Sequence, residues 1–322
     1  MTGPGKASIH LFKDGDKSMK YAFFPGCKIP YYVPQYEIAT RIVCSALNVQ
    51  LMDVEFNCCG YPVRNLDFYS YLYSAAHNLA RAEQVGYPII TPCKCCYGSF
   101  KRAEHMLAER QDLKDQVNTQ LAAVGLEYRG SQPIRHLLQV LYHEVGLDAI
   151  REKVVKPLDG LEVAVHYGCH ALRPSKITGF DNPYNPTIFD SLVEATGAVS
   201  VKWPMRLDCC GNPLWQKNNR LSKLLSRKKI TSAQNSGAAY MCVACTYCQI
   251  QFDHVQQIML EEGDIANPLP SILYPQLLGL AMGFSARRLG LDTHRLAVGD
   301  VGGGPGQLTE NKQNVLLVAG NP

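Results

Sequence analysis

Short apolar runs alternate along the chain with longer stretches in which apolar residues recur every three or four positions. Met19 to Phe24 (MKYAFF), Val49 to Val54 and Tyr87 to Thr91 are β-branched or aromatic runs of strand type. Leu161 to Tyr167 (LEVAVHY), Ala198 to Trp203 and Ala238 to Met241 repeat the series later in the chain. Between these runs, Pro34 to Leu47, Asp67 to Val85, Pro186 to Thr196 and Arg220 to Ser236 carry the spacing of amphipathic helices. Strands alternating with helices predict parallel βαβ units, so the expected fold class is α/β. In such sheets ligands sit beyond the carboxyl ends of the strands.

Each of the six predicted strands leads into a cysteine. Cys27, the pair Cys58 and Cys59, and Cys93 with Cys96 form one set. Cys169, the pair Cys209 and Cys210, and Cys242 with Cys245 form a second set in the same order. Corresponding cysteines are offset by 142, 151, 151, 149 and 149 residues, which predicts a duplicated domain. The expected organisation is an N-terminal extension over 1–18 and a first domain over 19–147, whose stretch from Phe100 to Leu147 reads as a helical linker. A second domain follows over 148–298, then a flexible glycine-rich tail over 299–322. The tail run Gly302-Gly303-Gly304-Pro305-Gly306 lacks the strand–loop–helix setting and the Lys-Ser/Thr ending of a phosphate loop. Pro270 to Phe284 is apolar but interrupted by prolines, and reads as a core or docking segment.

Composition narrows the classes. The 322 residues are 46% hydrophobic and 19% charged, an ordinary globular balance, and the length suits two domains. The net charge is +4 with no block of like charges, which argues against nucleic-acid binding. No run of 18 apolar residues occurs, so no transmembrane segment is expected. The first twenty residues lack the apolar region of a secretory signal, and a cytoplasmic protein is the expectation. In that reducing compartment thirteen cysteines read as metal ligands or catalytic thiols rather than disulfides.

Soft thiolates select zinc, copper(I) or iron–sulfur clusters. A structural zinc takes four ligands, one fewer than each set offers. Ordinary ferredoxin sites use compact Cys-x-x-Cys runs, unlike these spacings. An iron–sulfur cluster of another kind is the leading reading, with zinc and thiol redox chemistry as alternatives. Three cysteines fall outside the sets. Cys44 lies in an apolar helix and reads as a core thiol, and Cys95 and Cys248 read as non-ligands beside the sets. His170 follows Cys169 directly and is a candidate proton donor or a hydrogen-bonded structural histidine. Strand alternation would bury His166. Lys94, Arg173 and Lys176 could hold an anionic substrate group or offset cluster charge. Tyr97 and His77 are weaker candidates.

The pattern Cys…Cys-Cys-Gly…Cys-x-x-Cys is similar to that of the CCG cysteine-rich domain. Two copies in tandem resemble the B subunit of heterodisulfide reductase, with MKYAFFPGC, CKCCYGSFKRAEHML and VAVHYGCHALRPS as the matching segments. The resemblance implies two noncubane [4Fe–4S] clusters, each held by one five-cysteine set, with a disulfide cleaved or formed between them. It implies that His170 is the proton donor. It also implies a partner protein of the complex's C type with cubane [4Fe–4S] clusters, an A-type flavoprotein, and a small-molecule or protein-borne disulfide as substrate. The namesake substrate is the coenzyme M–coenzyme B heterodisulfide, and sulfur-oxidising complexes are similar. Related CCG proteins that carry electrons without binding a disulfide are the second reading, and zinc in one site is a third. The chain departs from the family after Gly211, where Asn212-Pro213-Leu214-Trp215 stands and Trp215 could shape the substrate pocket.

Overall fold

A computed structural model of the chain describes residues 19–299 and 301. The expected N-terminal extension and nearly all of the glycine-rich tail lie outside these residues. The described residues hold eight strands in two sheets. The first comprises β1 (Met19–Phe23), β2 (Val49–Asp53), β3 (Ile89–Thr91) and β4 (Ile134–His136). The second comprises β5 (Glu162–His166), β6 (Val199–Ser200), β7 (Tyr240–Val243) and β8 (Ser271–Leu273). The orders are β2-β1-β3-β4 and β6-β5-β7-β8, parallel throughout, so the duplication read from the cysteines is a duplication of topology.

Helices cover both faces of each sheet, which is why the central strands read as continuous apolar runs. The predicted helices form close to where the spacing placed them. Asp67 caps helix Phe68–Val85 by accepting from Ser70 N at 3.0 Å, and Gly86 ends it at φ +75°. Asn218 caps the matching helix Asn219–Gln234 from Leu221 N. Edge strands β4 and β8 escaped the sequence reading. At three residues each they are too short to show alternation. β4 lies inside the stretch expected to be a helical linker, and pairs with β3. β8 opens the apolar segment near Pro270, whose helix Tyr274–Ala281 is core, not surface. A glutamine caps the helix after each edge strand. Gln139 accepts from His136 N and Gln276 from Leu273 N.

The two domains meet through the elements that carry their cysteines. Helix Lys94–Glu109 of the first packs against helix Ser175–Thr178 of the second, and helix Pro34–Ala46 against helix Tyr274–Ala281. Lys94 is 2% exposed. Its ammonium crosses the junction to donate to His166 O at 3.1 Å and Tyr167 O at 3.0 Å, above the Phe189 ring. The Tyr97 hydroxyl donates to Thr178 O. Gly98 lets the helix backbone approach the loop at His170, because a Cβ there would sit 2.6 Å from His170 O.

That approach gives a test with a decided sign. In an open helix Gly→Ala stabilises by about 1 kcal/mol. Here overpacking against a backbone carbonyl costs about 1–3 kcal/mol and outweighs it. Gly98→Ala is therefore expected to lower Tm in a thermal melt. A raised Tm would show that the domains do not meet this closely.

Candidate metal centre

In both sheets the chain reverses direction of growth between the first strand and the third, at β1/β3 and β5/β7. This is the switch point at which parallel α/β sheets bind ligands. Left-handed glycines present the first cysteines there. Gly26 (φ +77°) precedes Cys27, and Gly168 (φ +70°) precedes Cys169. A Cβ on Gly26 would lie 3.0 Å from Cys96 Sγ and 3.5 Å from the Phe24 ring. On Gly168 it would lie 3.2 Å from His166 Nε2 and 3.9 Å from Cys248 Sγ. The Cys-Cys pairs follow β2 and β6, and each is followed by a left-handed glycine, Gly60 or Gly211. Ser74 Oγ and Asn78 Nδ2 donate to Cys58 O, and Ser99 Oγ donates to Cys59 O. Cys93 and Cys245 stand at the N-caps of the helices after β3 and β7. Pro92 O, just before Cys93, accepts from the Tyr36 hydroxyl at 2.6 Å and from His136 Nε2 at 3.0 Å. His136 Nδ1 accepts from Leu138 N, which puts the ring proton on Nε2.

Ten thiols form one continuous chain of electrostatically coupled neighbours. From the first domain it runs Cys27–Cys58–Cys59–Cys96–Cys93. It crosses from Cys93 to Cys245 and continues Cys245–Cys248–Cys210–Cys209–Cys169. The chain is symmetric about the crossing. In each domain one thiol of the Cys-Cys pair is pulled toward the thiolate while its neighbours are pushed up, as expected where close-set thiols share protons. Donation from Cys27 and Cys59 pulls the Cys58 thiol down to about 3, and donation from Cys169 and Cys210 pulls Cys209 down to about 2. Cys93 is likewise lowered, by Cys245, Cys95 and Cys96.

The two Cys-x-x-Cys candidates of the second domain sit differently. Cys242, read from the sequence as a ligand, lies inside β7, in register with Val165 and Ile272, and is fully buried. Burial alone pushes its thiol up, opposed by Lys94. Cys248, read as a non-ligand, lies among the other sulfurs, in a group with His166 and Cys210 whose candidate ligand atoms are all within 4.8 Å of one another. Aligned on strand ends, Cys93 and Cys96 match Cys245 and Cys248 at a constant offset of 152. The spacing that would have found this is the Pro-Cys or Ala-Cys step out of a strand, followed by two residues and a cysteine.

Cys95 is 4% exposed at the crossing, with Sγ 3.0 Å from His170 Nδ1 and 3.8 Å from Cys245 Sγ. Cys93, Cys95 and Cys245 offer sulfurs all within 4.8 Å of one another. Tyr61 faces the other side of His170, with its hydroxyl 3.5 Å from Nε2. The second set lines a small cavity of about 20 Å³, to which the first domain adds Lys94 and Cys95 and the second adds His170 and Tyr247. Burial lowers the His170 pKa. His166 is buried as alternation predicted, and burial with Lys229 and Lys94 keeps it neutral. Among the described residues neither of its nitrogens has a hydrogen-bond partner. Ten thiols in two complete sets, with an orphaned imidazole beside one of them, fit a sulfur-ligated metal cofactor in each domain.

The remaining candidates lie elsewhere. Arg173 and Lys176 are exposed on the segment after His170, with Arg173 donating to Leu207 O. Trp215 is half-buried and lies outside the cavity, which Pro213 of the same turn reaches instead. Tyr97 serves the domain junction. His77 contacts Asn57 Nδ2 at 3.3 Å. Cys44 is fully buried, its thiol pushed up to about 12.

Comparison with known proteins agrees with this architecture. The family model described as "Cysteine-rich domain" (CCG) matches residues 21–101 and again 163–253. The B subunit of the ferredoxin:CoB-CoM heterodisulfide reductase of Methanosarcina mazei is 34% identical over 278 residues, covering 85% of this chain and 92% of that protein. A protein of Archaeoglobus profundus described as like the heterodisulfide reductase B subunit is 32% identical over 278 residues, covering 84% and 93%. The chain belongs to the tandem CCG family of heterodisulfide reductase B subunits. The 8-methylmenaquinol:fumarate reductase membrane anchor subunit of Wolinella succinogenes is as similar, at 35% over 276 residues, covering 85% and 95%. A hypothetical protein from Helicobacter pylori shares the fold, with a TM-score of 0.69 at 18% identity over 86% of this chain and 51% of that one. No helix among the described residues is long and apolar enough to cross a membrane.

The revised CCG ligand set can be tested by metal analysis. Cys248→Ala is expected to lose the metal of the second site, about half of the total for two equal sites. Cys242→Ala is expected to keep both complements. The reverse pattern would restore Cys242 to the set.

Proposed function

We propose that the chain is the disulfide-handling iron–sulfur subunit of a heterodisulfide reductase-like complex. Cys27, Cys58, Cys59, Cys93 and Cys96 hold one noncubane [4Fe–4S] cluster, and Cys169, Cys209, Cys210, Cys245 and Cys248 hold the other. The observation that carries this reading is the gathering of sulfurs from both domains, with Cys93, Cys95 and Cys245 all within 4.8 Å of one another beside His170. A disulfide takes two electrons and two protons to become two thiols, and two sites would supply the electrons one at a time. Bound in these sites, the clusters supply single electrons and iron with affinity for sulfur.

The chain's own residues supply position and protons. His170 is neutral, with Nδ1 toward the sulfurs at the crossing and Nε2 toward the Tyr61 hydroxyl. It passes a proton from the Tyr61 side to a departing thiolate, as neutral imidazole does in general acid–base relays. Tyr61 and Tyr247 stack edge to face at 5.4 Å and keep water from the gap. Lys94 cannot clamp a substrate, because its ammonium is committed to His166 O and Tyr167 O. Arg173 and Lys176 remain the exposed cations for an anionic substrate group. Electrons arrive from a C-type partner protein with cubane clusters, itself fed by an A-type flavoprotein.

The similarity to the fumarate reductase anchor protein favours a second reading, an electron carrier that binds no disulfide. The two separate in one experiment. Chemically reduced protein is mixed anaerobically with the coenzyme M–coenzyme B heterodisulfide or another low-molecular-weight disulfide, and recovery of visible absorbance is followed. Disulfide-dependent reoxidation is expected, slowed about 10²–10⁴-fold in His170→Gln at unchanged iron content, the usual share of a general acid. Reoxidation at the same rate with and without disulfide would support the carrier.

A further inference from the structure

The two sites share a frame but differ at one buried position. Phe24 precedes Cys27 by three residues, and His166 precedes Cys169 by three. Phe24 packs edge-on against Phe100, with centroids 4.7 Å apart at 84°. His166 packs edge-on against Phe252 at 5.2 Å and 85°. Phe252 is the repeat counterpart of Phe100, at the same offset of 152 as the last two ligand pairs. The imidazole therefore occupies the berth that a phenyl ring fills in the first domain. A phenyl ring asks for no partner there. A neutral imidazole brings one N–H donor and one acceptor nitrogen, and burying both unpaired is unfavourable.

What faces His166 is sulfur. One of its nitrogens lies with Cys210 Sγ and Cys248 Sγ in a group whose members are all within 4.8 Å of each other. Nε2 borders the small space left by Gly168, on whose other side is Cys248 Sγ. Two more differences fall on the same side. Lys94, from the first domain, bears electrostatically on Cys248, Cys245 and Cys169, and its counterpart at the start of the second helix is the uncharged Thr246. Lys229, buried over the Trp203 ring, is paired first with the charge of Asp208 and then with Cys210, Cys248 and Cys209. Counting from the helix caps Asp67 and Asn218, its counterpart is the uncharged Asn78.

We propose that His166 is an N–H···S hydrogen-bond donor to the second-domain site, and that it makes this site the more readily reduced of the two. It rests on the reading that both five-thiol sets hold iron–sulfur clusters. Hydrogen bonds to sulfur and nearby positive charge both stabilise the added electron, and so raise the potential of a thiolate-ligated cluster. No bond is made or broken. The second site gains one electron from the complex's electron donor, and the imidazole dipole and the two buried ammonium groups meet the added negative charge. His166 is a positioning residue in this role, and does not touch the disulfide.

The test is a redox titration of the anaerobically prepared full chain, followed by visible absorbance and electron paramagnetic resonance. Wild type is expected to show two separate one-electron steps. His166→Phe, which copies the first domain, is expected to lower the upper step by at least tenfold in reduced-to-oxidised ratio, about 59 mV for one electron. The lower step is expected to stay in place. The reciprocal Phe24→His is expected to raise the lower step. His166→Gln keeps an N–H donor and is expected to preserve most of the separation, which distinguishes a lost hydrogen bond from general damage. Unchanged steps in His166→Phe at full iron content would overturn the inference and leave the proposed function standing. Strong nitrogen hyperfine coupling in the wild type, showing iron bound directly by histidine, would also overturn it. Wild-type protein without iron would remove both readings together.

Discussion

Everything in this molecule depends on bringing soft, negatively charged sulfurs together without leaving them unmatched in an apolar interior. Thiolates repel one another and lose hydration on burial, so a set of five needs a cation at its centre or protons shared along it. The fold meets this with parallel strands whose carboxyl ends open on one rim. The cysteines of each set leave β1, β2 and β3, or β5, β6 and β7, at those ends. Left-handed glycines turn the chain sharply enough to aim them inward. Duplication then sets two rims against each other, and the thiol chain crosses from one to the other at Cys93 and Cys245.

Much of this was legible in the sequence because the repeat is written twice. The strand-to-cysteine steps, the helix after each, and the two-domain α/β architecture follow from apolar periodicity and cysteine order. What the sequence leaves open is local. The sequence Cys242-Val-Ala-Cys245-Thr-Tyr-Cys248 contains two overlapping Cys-x-x-Cys pairs, and spacing alone does not rank them. The strand favours the Cys245–Cys248 pair, because β7 runs one residue past Cys242 and carries it into the sheet. The edge strands β4 and β8 were missed because three residues carry no alternation. Lys94 looked like a substrate clamp because it lies between ligands. Only the domain junction shows its ammonium already bound to two carbonyls.

The departures from symmetry are informative because the frame is otherwise so regular. Phe24 and His166, Asn78 and Lys229, and Thr246 and Lys94 are three paired positions whose polar or charged member bears on the second-domain site, Lys94 doing so from across the junction. The contacts at the crossing are reciprocal. His170 reaches from the second domain to Cys95 of the first, while Lys28, its counterpart, lies over the ring of Tyr247, the counterpart of Cys95. A histidine and a thiol stand on one side of the crossing, and an ammonium and a phenol on the other, so under the proposed function a bound disulfide would meet two different ends. That asymmetry suits a molecule whose two sulfurs are not equivalent.

The central claim is that both five-thiol sets hold iron. Iron, zinc and acid-labile sulfide per chain, measured on anaerobically purified protein, test it most directly. Two four-iron clusters require about eight irons with matching sulfide, and no stoichiometric zinc. Stoichiometric zinc without iron or sulfide would contradict the account.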